Sequence, residues 1–168
     1  MTSSLVNMRN PEGFLDGMRQ LASGVCIIAT RHQDRRYGLT ATAVCSLSTE
    51  PPALLVCINH SAEAHAAVCA SRSLSIHVLS EEHVDVAKRF ATAKGEAKFA
   101  DACWAEHASG MPHLVGALAS FDCRVDAIWE CETHSVFKCQ VERVVVNDGP
   151  PLIYRNRQFA GVAALQVN

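Results

Sequence analysis

Apolar positions recur along this chain with two periods, and the switches between them mark its elements. Asn10-Pro11 opens a helix, with Asn as N-cap and Pro in the first turn. Phe14, Leu15, Met18 and Leu21 then recur at helical spacing until Gly24 closes the segment. Val25–Thr30 reads as a strand, the charged stretch His32–Arg36 as a hairpin turn, and Tyr37 to Cys45 as the next strand. Pro51-Pro52 forces an extended approach into Ala53–Ile58, whose unbroken apolar run predicts a buried strand. Ala62–Ala70 reads as a short helix of small residues. Leu74, Ile76 and Val78 alternate with Ser75 and His77, which predicts a half-buried strand. Ser80 caps a helix with Glu81 and Glu82 in its first turn and Val84, Ala87 and Phe90 on one face. The pattern is irregular from Lys94 to Leu114. Strands resume at Ala119–Trp129 and Ser135–Val146, and a last one covers Leu152–Tyr154 after Pro150-Pro151.

The strands come in runs instead of alternating strictly with helices, which disfavours a doubly wound parallel sheet. A mainly β fold is expected, a closed or nearly closed antiparallel barrel with peripheral helices. The 168 residues suit one domain, with its core at about 12–160.

Charge and composition narrow the partners. Seventeen acidic residues against fifteen basic ones leave no cationic excess to release counterions from phosphates, so nucleic acid is not an expected partner. The longest apolar stretch, Ala53–Ile58, falls far short of the roughly 20 residues that span a bilayer. The first residues carry no apolar core of signal-peptide length. A soluble cytoplasmic protein without a membrane partner is expected. The eight cysteines contain no C-x-x-C and mostly lie in apolar runs, as buried free thiols in a reducing compartment do.

Several chemistries lack their signatures. G-x-G-x-x-G, the phosphate loop, H-E-x-x-H and G-x-S-x-G are all absent. His60 and His65 are five residues apart; on one helix they would diverge by about 140° and could not share a metal, so no metal site is expected. An enzyme built this way relies on an organic cofactor for the hard step.

The stretch Tyr37–His60, Y-G-L-T-A-T-A-V-C-S-L-S-T-E-P-P-A-L-L-V-C-I-N-H, closely resembles the flavin-binding signature of the short-chain flavin reductases, the reductase components of two-component flavin monooxygenases. Further matches follow in order: Phe90-Ala91, Lys98-Phe99, Ala117–Val125, Thr133–Val136 and Pro151–Phe159. The resemblance implies a split β-barrel assembled as a homodimer. It also implies hydride transfer from NADH, or NADPH, to FMN or FAD, which then leaves for a separate monooxygenase. Two alternatives stay open. One is a reductase that holds its flavin tightly and reduces another acceptor, such as a cobalt corrinoid. The other is a flavin-binding split-barrel protein without turnover.

Under this resemblance the wall formed by Thr40, Ala41, Thr42, Ala43, Val44, Cys45, Ser46 and Ser48 meets the flavin. Small side chains let a planar ring approach the backbone, and the Thr42 and Ser46 hydroxyls suit the ribityl chain and phosphate. An ordinary small-residue strand packed on a helix would read the same way. Asn59 and Ser61 precede a helix N-terminus, which offers N–H groups to a phosphate; the family serine one position further on is Ala62 here. Arg89, Phe90 and Ala91 end a helix, with Arg89 free to meet a cofactor phosphate and Phe90 equally suited to the core. Lys98 and Phe99 are weaker matches. Tyr154 and Arg155, with Arg157, follow the last strand and offer planar donors to phosphates. The family triplet Gly-Asp-His, associated with NADH binding, is Glu132-Thr133-His134 here, which makes His134 the candidate for placing the nicotinamide. A buried, hydrogen-bonded strand histidine is the alternative.

Overall fold

A computed structural model describes residues 11–101, 103–106 and 109–165. Asn10, the expected N-cap, lies outside them. The first helix, α1, is Pro11–Met18. Strands β1 (Ser23–Gly24), β2 (Cys26–His32), β3 (Arg35–Ala41), β4 (Val44–Thr49) and β5 (Pro52–Asn59) follow. Then come α2 (Glu63–Ser71), β6 (Ser73–Val78) and α3 (Val84–Thr92), the last entered through a 3-10 turn at Glu81–His83. A second 3-10 segment, Gly95–Phe99, leads to β7 (Trp104–Glu106) and β8 (Pro112–Leu114). The long hairpin β9 (Ala119–Cys131) and β10 (His134–Val146) precedes a short one, β11 (Ile153–Arg155) and β12 (Gln158–Ala160).

Seven strands form one antiparallel sheet in the order β3-β2-β6-β9-β10-β5-β4. Its two outer strands, β3 and β4, are consecutive in sequence and joined only by Thr42 and Ala43. Three residue steps span at most about 10 Å. The sheet must therefore curl until its edges nearly meet, and the gap at Thr42–Ala43 is where the barrel is split. The predicted single strand Tyr37–Cys45 is thus two strands that part at this gap, β3 staying with β2 and β4 crossing to β5.

The core forms on both sides of β2. Val25, Ile27 and Ala29 pack with Leu79, Ala87, Phe90 and Phe99, while Cys26 and Ile28 pack with Val56, Ile58, Leu74, Ile76 and Phe137. β6 is buried on both faces, not half-buried as its alternation suggests. Ser75 and His77 have no exposed surface because they satisfy each other: His77 Nε2 lies 3.0 Å from Ser75 Oγ and 3.1 Å from the Pro112 carbonyl, and Nδ1 lies 2.9 Å from Ser120 Oγ. A three-stranded annex, β1-β11-β12, sits outside the main sheet and is held by Val25 N–H to Leu152 O (3.0 Å) and Leu152 N–H to Leu79 O (2.9 Å).

Candidate functional site

The barrel gap, the exposed face of α3 and the β11–β12 annex enclose a groove. Its centre is a cleft of about 400 Å³ floored by Val25, Ala87, Ala91 and Phe159 and flanked by Thr40–Thr42 and Tyr154. Through Thr42, Tyr154 and Arg157 it joins a second cleft of about 330 Å³ against α1. Through Thr40, Ala91 and Thr92 it joins a third of about 500 Å³ that ends at Ser61–Glu63, the start of α2. Cations stand along its whole length: Arg19, Arg155 and Arg157 at one end, Lys88 midway, Lys94 and Lys98 at the other.

Local sequence explains each wall. Ala87 and Ala91 are four apart, so α3 presents a shallow stripe to the groove. The Thr40 hydroxyl donates to the Ala87 carbonyl at 2.7 Å, fixing β3 against α3. Beside it, Gly38 lets the two elements touch: a Cβ there would lie 2.6 Å from Phe90 Cε1 and 2.9 Å from the Ile28 carbonyl. Asn156 and Arg157 make the tight β11–β12 turn, both in the left-handed region at φ 48° and 63°, and this aims Arg157 at the groove.

At the α2 end, Asn59 Oδ1 accepts from the Ser61 N–H at 2.8 Å and the Ser61 hydroxyl at 2.7 Å. The N-cap of α2 is Ala62, which makes no side-chain cap, so the helix start faces the third cleft without a capping hydroxyl. Lys98 is buried and donates to the Gly38 carbonyl at 2.7 Å, with Glu63 3.6 Å away. The Gly95 N–H, aided by Lys98, holds the Glu63 carboxyl below the usual carboxylate range.

The sequence-derived residues divide accordingly. Thr40, Ala41, Thr42, Ser61, Phe90, Ala91, Lys98, Tyr154 and Arg155 all line the groove. Phe90 does so by its edge only; its ring is core, 4.9 Å from Phe99 and 5.1 Å from Trp104. Phe99 is buried behind it. Arg89 is held by Asp101. Val44, Cys45, Ser46 and Ser48 lie on β4 and line none of the three clefts, because the chain has already left the gap; Ala43 sits in the gap, its carbonyl bound by Cys57 N–H at 3.0 Å. His134 is exposed at the start of β10, paired across the sheet with Asn59, with Nδ1 2.8 Å from Thr133 Oγ1. It is not a buried strand histidine, and it lines none of the three clefts. Sequence reasoning passed over Val25, Ala87, Lys88, Thr92 and Phe159; the i, i+4 pair Ala87/Ala91 was the available signal for the α3 stripe.

Comparison with known proteins agrees with this geometry. The chain is 40% identical over 156 residues to the FMN reductase (NADH) RutF of Stutzerimonas stutzeri, covering 91% of this chain and 89% of that protein. It is 38% identical over 152 residues to the 4-hydroxyphenylacetate 3-monooxygenase reductase component of Pseudomonas aeruginosa, covering 88% and 89%. The crystal structure of a flavin reductase domain protein from Arthrobacter sp. FB24 superposes with a TM-score of 0.87 at 27% identity, over 93% of this chain and 98% of that one. The flavin reductase like domain matches residues 18–163, and that span contains nearly every wall of the groove, so the chain belongs to the flavin reductase like domain family.

Proposed function

We propose that this protein is an NADH-dependent flavin reductase that supplies reduced FMN or FAD to a separate monooxygenase. The observation that carries the reading is the continuous groove with an apolar middle and cationic ends. The residues fit a flavin. A planar tricycle needs a floor without projecting side chains, and Ala87, Ala91 and Val25 supply one. Its polar tail needs donors, and the ends of the groove offer the Arg155 and Arg157 guanidiniums at one side and the uncapped α2 start with Lys94 at the other.

Bound nicotinamide and flavin supply the hydride chemistry themselves. The chain's part is to bind, orient and exclude water. Tyr154 and Phe159, packed edge to face at 5.3 Å, close the annex side of the apolar section. Thr40, committed to α3, keeps the wall rigid. His134, at the α2 end, places the nicotinamide through an imidazole hydrogen bond. The groove is open along its length, in keeping with a flavin that must leave.

The assembly proposed is a homodimer, supported by the apolar side chains of α1 that remain exposed in the single chain, Phe14 at 67% and Leu15 at 51%. No helix among the described residues is long and apolar enough to cross a membrane. All eight cysteines are free, which supports a reducing, cytoplasmic setting.

The test is steady-state oxidation of NADH by the purified protein with and without added FMN or FAD. Flavin-dependent oxidation is expected, and its absence sinks the reading. His134→Ala should raise KM for NADH about tenfold, the worth of one hydrogen bond, and leave KM for flavin unchanged.

A further inference from the structure

The two histidines that the sequence places five apart do not share a helix. His60 precedes α2 and His65 lies on it, so the corner between β5 and α2 turns both rings to one point, with centroids 4.9 Å apart. Glu130 arrives there from β9, its Oε2 2.9 Å from His60 Nε2. The three ligand atoms all lie within 4.8 Å of one another, the one such His/Cys/Asp/Glu group among the described residues. They gather around a single buried hydroxyl. Ser135 Oγ is 3.1 Å from His60 Nε2, 2.8 Å from His65 Nε2 and 3.0 Å from Glu130 Oε2. Phe137 fixes the His65 ring edge to face at 5.7 Å.

We infer that His60, His65 and Glu130 bind a divalent transition-metal ion of the zinc type. Two imidazoles and a carboxylate are the donor set such ions take, whereas calcium and magnesium prefer oxygen alone. Tetrahedral bonds of about 2.0–2.1 Å put ligand atoms roughly 3.4 Å apart. His60 Nε2 and Glu130 Oε2 stand 2.9 Å apart and no pair exceeds 4.8 Å, so small rotations bring the three atoms to that spacing. Glu130, with 68% of its side chain exposed, and His60, with 36%, have room to turn onto an ion while His65 stays fixed. On binding, each imidazole presents the lone pair of Nε2 and carries its proton on Nδ1. The Ser135 hydroxyl, released from both imidazoles, donates to Glu130 as an outer-shell support. Three protein ligands leave a fourth position to water, the arrangement of an exchangeable ion. The site would also clamp a turn used elsewhere. His60 N–H donates to the Thr133 carbonyl at 3.0 Å, so the ion ties the β5–α2 corner to the β9–β10 turn before His134. None of the three ligands lines the flavin groove, and the inference does not depend on that reading.

Cobalt(II) is the direct probe, added to the metal-stripped full-length protein under reducing conditions. One equivalent per chain should bind, with the visible absorption of a four-coordinate ion, no near-ultraviolet thiolate charge-transfer band, and displacement by zinc. Loss of an outer-shell partner alone weakens metal sites about 10–100-fold, so Glu130→Gln and His65→Gln should each weaken cobalt at least about tenfold. Thermal unfolding of both variants checks the fold. Should His65→Gln fail to fold, the exposed Glu130→Gln decides alone. Absence of saturable absorption, a thiolate band from the cysteines, or undiminished binding by Glu130→Gln would overturn the inference.

Discussion

Gly38→Ala probes the joint on which the groove depends. The added methyl would lie 2.6 Å from Phe90 Cε1, roughly 1 Å inside the 3.5–4.0 Å at which carbon atoms rest, and 2.9 Å from the Ile28 carbonyl. Neither neighbour can yield cheaply. Ile28 is a paired residue of a strand buried on both faces, and Phe90 is only 2% exposed, wedged between Phe99 and Trp104. Overpacking of this kind costs about 1–3 kcal/mol. Removing a strand glycine returns about 0.5–1 kcal/mol of backbone entropy. The net loss is about 1–2 kcal/mol, and at roughly 2–4 °C per kcal/mol for a chain of this size the unfolding midpoint should fall by about 2–8 °C. Circular dichroism melts at one fixed protein concentration measure it. Because the strain pushes on α3, which carries Ala87 and Ala91, KM for flavin should rise as well. In a Phe90→Leu background, where the ring edge is gone and only the Ile28 carbonyl still crowds the methyl, the same glycine change should cost less, a coupling of at least about 0.5 kcal/mol. A Gly38→Ala protein that melts at or above the wild-type temperature would refute this account of the joint.

Other changes test separate parts of the molecule. Arg157→Gly should separate stability from binding: relief of the left-handed conformation, worth about 1–2 kcal/mol less the entropy of glycine, raises the unfolding midpoint, while loss of the cation raises KM for FMN several-fold. An unchanged KM would remove Arg157 from the site. His77 is pushed from 6.5 down to about 3 by burial and then by the neighbouring His113 charge, so it stays neutral when folded and takes a proton on unfolding. Its contribution is complete above about pH 6.5 and is lost on acidification toward pH 3, at up to about 1.4 kcal/mol per pH unit. Denaturant titrations at pH 7, 6 and 5 should show that slope, flattened in His77→Gln. Lys98→Met leaves the Gly38 carbonyl without its 2.7 Å donor and should cost about 1–3 kcal/mol in the same titrations.

The sequence was most legible where one physical signal dominated. Paired prolines before an apolar run marked β5, and long alternating stretches marked β9 and β10 close to their true limits. It misled where polarity and burial part company. Ser75 and His77 look solvent-facing, yet they hydrogen-bond each other and the Pro112 carbonyl beneath the β7–β8 hairpin. The Thr42–Ala43 gap left no mark, because the small residues that permit a break are those that permit an unbroken strand. That ambiguity explains why the small-residue stretch divides: Thr40–Thr42 reach the groove, and Val44–Ser48 follow β4 to the far edge of the sheet. β12 is three residues long and carries too little pattern to announce itself. The five-residue spacing of His60 and His65 predicts divergence only on a common helix, and α2 begins three residues after His60.

The annex that closes the groove pairs Ser23 with Tyr154, near opposite ends of the described chain. β1 has no partner in the seven-stranded sheet, and its ladder forms only with β11. The barrel needs β9 and β10, through Val146, to join β6 to β5, and the annex hairpin that adds Tyr154, Arg157 and Phe159 to the groove comes after it in the chain. Loss of β11 and β12 would therefore leave the seven-stranded sheet its full set of strands and remove the Tyr154 and Phe159 side of the cleft.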